Sequence, residues 1–255
     1  MAFVSFLILG AGLAFQAPPT LQTSDGFRQS PSPVAPAGPA VTPELRGDIM
    51  MARKMFREAI DYYKPESEKN AVLANKTGIA YHQLQDLNNA EKYYKHAVKL
   101  NPKYPEAINN LGTVYYAKKS YRRAVNQYKS ALRLSPASAS IMSNLGTAYF
   151  ARKQYDDAMK AYEQAVAFDP DIFEQHGSQG VMVQERTIEE RAGYFYLLAK
   201  TCAKAGMTDR SLQYIRKALE NGYKDREKFT AEPEFSSLQD NMEFQMILAT
   251  EYKVL

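Results

Sequence analysis

An all-α solenoid of about five tandem helix pairs is the fold this sequence predicts, and internal repetition is the reason. Residues 110–124, NLGTVYYAKKSYRRA, recur almost unchanged as residues 144–158, NLGTAYFARKQYDDA. Gly112 and Gly146, Tyr115 and Tyr149, Ala124 and Ala158, Tyr128 and Tyr162, and Pro136 and Pro170 all stand 34 positions apart. A period in that range marks stacked supersecondary units. Within each period apolar or small residues return at three- and four-residue spacing in two blocks, for example Ile108, Leu111, Gly112, Tyr115 and then Tyr121, Ala124, Tyr128, Ala131. That is the pattern of two amphipathic helices.

Taken in order, the chain opens on MAFVSFLILGAGLAFQA, an uncharged apolar run that ends in small residues. It reads as a secretory signal over residues 1–17, with Gly12 and Ala14 placed as a cleavage pair and no Lys or Arg ahead of the run. The apolar run is shorter than the roughly 20 residues a membrane span needs, so no integral span is expected in the mature chain. The expected address is the periplasm or the exterior of a bacterium, the alternative being a cytoplasmic protein with an apolar tail. Residues 18–43 follow as a tether: seven of the 13 prolines fall between Pro18 and Pro43, which favours extended chain over a packed core.

The repeats occupy the rest, a domain over 44–255. Unit boundaries are expected at about 44–70, 71–104, 105–138 and 139–172. Gly78, Tyr81, Ala90, Tyr94, Ala97 and Pro102 each sit 34 before their counterparts in the third unit. The helix break falls at Lys118-Lys119-Ser120, and Pro102 or Pro136 comes after the second helix, where it no longer interrupts one. Glycine inside a helix costs roughly 0.5–1 kcal/mol against alanine, so Gly78, Gly112 and Gly146 need a structural return. A close helix contact is expected to supply it, with Ala90, Ala124 and Ala158 as the small residues they meet and the tyrosines filling the space beside. In the first unit Gly47, Ala59 and Tyr63 keep the internal spacing, but three residues are missing around Lys64-Pro65.

After unit four comes DIFEQHGSQGVMVQERTIEE, which breaks the register and is read as an insertion over 173–187. A nucleophilic Ser178 beside His176 is the catalytic reading of it. The glycine spacing is wrong for a nucleophile elbow and no strand precedes it, so a loop is the better one. Residues 188–221 form a fifth unit with Ala199, Cys202, Ser211, Ile215 and Ala218 in the matching slots, which makes Cys202 a core residue. Residues 222–255 repeat a small pattern, Pro233-Phe235-Leu238 and Met242-Phe244-Ile247, and are read as short helices capping the last unit.

Small residue, Tyr, Ala, aromatic, Ala and Pro at these spacings resemble the tetratricopeptide repeat (TPR). The usual Trp is replaced by Ala74, Ile108 and Met142. The resemblance implies helix pairs stacked into a right-handed superhelix and a non-enzymatic adaptor or scaffold that holds a protein or extended peptide on its concave face. That face is lined by the first helix of each unit. Helical spacing then nominates Asn75, Lys76, Ile79 and His82, next Asn109, Asn110, Thr113 and Tyr116, and finally Ser143, Asn144, Thr147 and Phe150. Asn110 and Asn144 recur at one slot, where an amide can pair with a peptide backbone of any sequence or bond a neighbouring helix. The clamp that some family members use for acidic C-termini needs Lys, Asn, Asn, Lys and Arg. The corresponding residues here are Asn75, Ile79, Asn110, Ser140 and Asn144, so no clamp is expected.

Charge and chemistry narrow the function further. The chain of 255 residues carries a net charge of +4, small for an electrostatic nucleic-acid binder, and no nucleic acid partner is expected. Residues 91–135 nevertheless hold ten Lys or Arg against Glu91 and Glu106. Lys92, Lys95, Lys99, Arg122, Arg123, Lys129 and Arg133 fall in second helices, on the convex side. They form either a solvated face or a patch for anionic lipid, polysaccharide or an acidic protein. The lone Cys202 allows no intramolecular disulfide, and no metal-ligand cluster, phosphate loop or triad is present. No enzyme activity, metal or cofactor is expected.

Overall fold

The computed structural model describes residues 42–174 and 187–252, and every regular element among them is helical. The signal-like run, most of the proline tether and the insertion residues His176, Ser178 and Gly180 lie outside the described residues. Ten helices form five consecutive pairs: α1 (Pro43–Ala52) with α2 (Phe56–Tyr63), α3 (Ala71–Gln83) with α4 (Leu87–Leu100), α5 (Pro105–Ala117) with α6 (Tyr121–Leu134), α7 (Ala139–Ala151) with α8 (Tyr155–Phe168), and α9 (Ile188–Lys204) with α10 (Thr208–Glu220). Each pair packs on itself, and each second helix then packs on the first helix of the next pair. This nearest-neighbour scheme is what a solenoid requires.

The local chemistry explains the boundaries. Asn70, Asp86 and Ser138 cap α3, α4 and α7 through their side-chain oxygens, and Pro105 opens α5. The turn inside each pair is made by one residue in the left-handed region: Lys54, Gln85, Lys119 and Lys153 at φ 60°, 60°, 56° and 61°, and Gly206 at 73°. The register loss in the first unit also has a cause. Helix α2 stops after eight residues where α4, α6 and α8 run to fourteen, and a 3-10 turn over Lys64–Glu66, carrying Pro65, takes its place.

The atoms nearest the repeat glycines belong to tyrosine rings. A Cβ on Gly47, Gly78, Gly112 or Gly146 would lie 2.2, 2.6, 2.7 or 2.5 Å from the ring of Tyr63, Tyr94, Tyr128 or Tyr162, 16 residues further on. Those four tyrosines are almost wholly buried. The missing side chain is therefore space for a phenol ring lying flat on the first helix. Ala90, Ala124 and Ala158 are fully buried nearby, inside the second helices.

Beyond α10 the chain forms α11 (Lys228–Ala231), a 3-10 segment (Pro233–Leu238) and α12 (Met242–Ala249). Phe229, Phe235, Leu238, Phe244 and Ile247 join the core built by α9 and α10. Tyr196 of α9 stacks on Tyr223 with centroids 4.5 Å apart and donates its hydroxyl to Glu232, which Lys200 also binds at 2.9 Å. Cys202, 1% exposed, is core as its slot implies, and burial pushes its thiol up to about 12.

Candidate functional site: the face of the first helices

Successive first helices touch directly, α3 on α5 and α5 on α7. The strip along them is built by the residues three and two positions ahead of Gly78, Gly112 and Gly146. Asn110 donates its amide to Asn75 Oδ1 at 3.0 Å, and Asn144 donates to Asn109 Oδ1 at 3.1 Å. Asn75 in turn donates to the Tyr104 hydroxyl at 3.4 Å. The asparagines thus bond the helix of the preceding unit, which is one of the two roles their recurrence allows.

The ladder leaves particular atoms over. An amide offers two donor hydrogens and an acceptor oxygen, and Asn109 uses only its oxygen while Asn110 uses only its nitrogen. Both residues are half-buried. Asn109 therefore keeps unused donors and Asn110 an unused acceptor, none of them buried, on a face that also holds half-buried Ile79, Thr113, Tyr116 and Ser143.

Other nominated residues are spent on the fold. Asn75, Asn144, Thr147 and Phe150 are buried. Thr147 shares a 3.0 Å hydrogen bond with the Tyr162 hydroxyl, and Thr113 accepts from the Tyr128 hydroxyl at 3.3 Å. Phe150 is wedged between Tyr155 and Tyr194, at centroid distances of 5.4 and 5.8 Å. Lys76 is held by Glu44 at 2.7 Å and by both oxygens of Asp48 at 2.8 and 2.7 Å, joining the first unit to the second. Burial would raise the Asp48 carboxyl, but hydrogen bonds from Lys76 and Tyr63 outweigh it and hold the carboxyl below its ordinary value. His82 is half-buried, and that burial lowers its imidazole. Among the described residues no group of three His, Cys, Asp or Glu is placed to hold a metal.

Sequence reasoning missed Tyr104, Tyr121 and Tyr155. Tyr121 packs on Tyr116 with centroids 5.2 Å apart, as Tyr155 packs on Phe150. The signal was an aromatic five residues after another, across the helix break. On the other face, Lys92, Lys95, Lys99, Arg122, Arg123, Lys129 and Arg133 are exposed on α4 and α6. Some are anchored: Lys95 pairs with Glu91 at 2.6 Å, Arg123 lies 4.7 Å over the Tyr115 ring, and Lys129 lies 5.5 Å over Tyr149. No helix among the described residues is long and apolar enough to cross a membrane.

Tandem helix pairs, four of them with a glycine under a tyrosine ring and three repeating every 34 residues, define a repeat solenoid whose surface presents the inner helices. The repeat is the tetratricopeptide repeat. Residues 78–119 match the TPR repeat and residues 109–171 match the tetratricopeptide repeat, so the chain carries TPR repeats over residues 78–171. Such arrays are, in general terms, scaffolds for protein interaction. No curated protein matches the sequence. Among solved structures, that of MamA is 22% identical, covering 69% of this chain and 93% of that one at a TM-score of 0.49. TTC0263, a thermophilic TPR protein of Thermus thermophilus, is also 22% identical, covering 72% and 92% at 0.49. The first TPR of Spaghetti (RPAP3), bound to the HSP90 peptide SRMEEVD, is 23% identical, covering 42% and 85% at 0.41.

Proposed function

We propose that this chain is a non-enzymatic adaptor that holds an extended segment of a protein partner along the strip formed by α3, α5 and α7. One observation carries the reading: Asn109 keeps unused amide donors and Asn110 an unused amide acceptor, none of them buried, on α5 between α3 and α7. A peptide backbone carries one donor and one acceptor per residue, so it can answer both whatever its side chains. Tyr116 and Ile79 alongside offer apolar contact. The experiment is to select peptides from a displayed random library against the full chain and to titrate them against Asn109→Ala. Loss of a backbone hydrogen bond should weaken them about three- to tenfold. Peptides indifferent to Asn109 and to Tyr116→Ala would overturn the reading.

The same proposal includes export, with residues 1–17 as a removable signal and the following prolines as a tether. Its check is the intact mass of the native protein. A chain starting after Ala14 or Ala17 supports it, and a retained Met1 on cytoplasmic protein sinks it.

A further inference from the structure

Two equivalent clefts on the turn side of the array, one unit apart, treat the same cation differently. In the first, between the turn that starts α4 and the end of α5, Lys118 donates to Asn88 at 2.9 Å and to Glu91 at 2.6 Å. A shift of one period carries Lys118 to Arg152, Asn88 to Arg122 and Glu91 to Val125. The cation is kept and both of its acceptors are gone. In their place lies a recess of about 380 Å³ lined by Lys119, Ser120, Tyr121, Arg122, Arg123 and Arg152, with no carboxylate in its wall. Lys119, Arg122 and Arg152 make no ion pair among the described residues, and Arg123 touches only Ser120 and the Tyr115 ring.

Four like charges around one recess repel each other, and no carboxylate lines it to offset them. From the recess the cationic track continues along the exposed side of α6 through Lys129 and Arg133. Guanidinium groups take carboxylates in a bidentate fork. The geometry points to a docking site for an acidic protein segment, with one carboxylate in the recess between Arg122 and Arg152 and the next ones along α6. Tyr121, the aromatic in this shallow recess, is half-buried and packed on Tyr116, so it offers no projecting apolar anchor of the kind a membrane surface asks for. This site is separate from the strip of first helices, so each stands or falls alone.

The test is fluorescence anisotropy of a labelled oligoglutamate peptide with the full chain at low salt, beside an oligoglutamine peptide and phosphatidylglycerol vesicles. Arg122→Asn with Arg152→Gln should weaken oligoglutamate binding about tenfold or more. Lys92→Gln with Lys99→Gln removes the same charge from α4 and should change it less than about twofold. Melting curves check the fold of each variant, and Arg122→Asn alone, at an exposed position, serves should the double variant melt early. Equal weakening by both double variants would reduce the site to a diffuse field and overturn the proposal. So would oligoglutamine binding as tightly, or binding to the vesicles and not to the peptide.

Discussion

Asn144 gives its side-chain amide to Asn109 across 3.1 Å, repeating one period later the bond that Asn110 gives to Asn75 at 3.0 Å. The inner strip is therefore cross-linked by its own asparagines, and the two acceptors differ in burial. Asn75 is 4% exposed, whereas Asn109 is half-buried. Asn110→Ala should cost about 1–3 kcal/mol, because it leaves the buried Asn75 oxygen without the amide it accepts from. Asn144→Ala should cost about 0.5–1.5 kcal/mol through this bond, since water reaches the Asn109 oxygen it leaves. Denaturant midpoints of the two variants check the order, and an equal or reversed order would contradict the ladder.

The glycines offer a sharper contrast. Gly112→Ala gains roughly 0.5–1 kcal/mol of helix propensity, but its Cβ would fall 2.7 Å from a ring carbon of Tyr128, which is fully buried and cannot turn away. Overpacking of this kind costs about 1–3 kcal/mol, so net destabilisation is expected. Gly193→Ala in α9 meets only the Phe150 ring, at an ordinary 3.6 Å. It should be neutral or stabilising by up to about 1 kcal/mol. Thermal melts of the pair measure the difference.

The pair turns supply a stabilising change. Lys153 holds φ 61° with a Cβ, a conformation that costs an L-residue roughly 1–2 kcal/mol, and the last unit uses Gly206 at φ 73° in that place. Lys153→Gly should raise stability by about 0.5–1 kcal/mol after the entropy that glycine loses on folding. An unchanged or lower denaturant midpoint would speak against strain at these turns.

Cys202 predicts a pH dependence. Its folded-state thiol is raised from 9.0 to about 12, first by burial and then by Glu174, with Arg210 acting the other way. A raised pKa means that the folded state keeps its proton where the unfolded chain loses it. This contribution to stability is thus fully present below pH 9 and is lost as pH climbs from 9 towards 12. At pH 8 a thiol-specific disulfide reagent should react with the native protein far more slowly than with the unfolded protein. Reaction at the same rate in both would place the thiol outside the core.

Period, helix content and the class of repeat were legible in the residues themselves. Gly, Tyr, Ala and Pro at fixed offsets can be satisfied only by stacked helix pairs, and helical spacing assigns each side chain to a face without reference to any partner. Export remains a reading of residues 1–17. What only the tertiary structure decided is which atom meets which across units. Spacing put Gly112 close to the second helix, but the depth of the Tyr128 ring settled that the phenol is its nearest neighbour. Spacing likewise put Asn110 and Asn144 on one face, yet the approach of α3 to α5 and of α5 to α7 decided that their amides bond each other's helices and leave Asn109 and Asn110 half-used. The basic run looked uniform in sequence, and stacking separated Lys118, with Asn88 and Glu91 to receive it, from Arg152, which lines one recess with Arg122. The physical reason is range. Helical periodicity is a property of a few consecutive residues, whereas these hydrogen bonds and charge contacts join residues about 30 or more apart and depend on ångström-scale distances between helices.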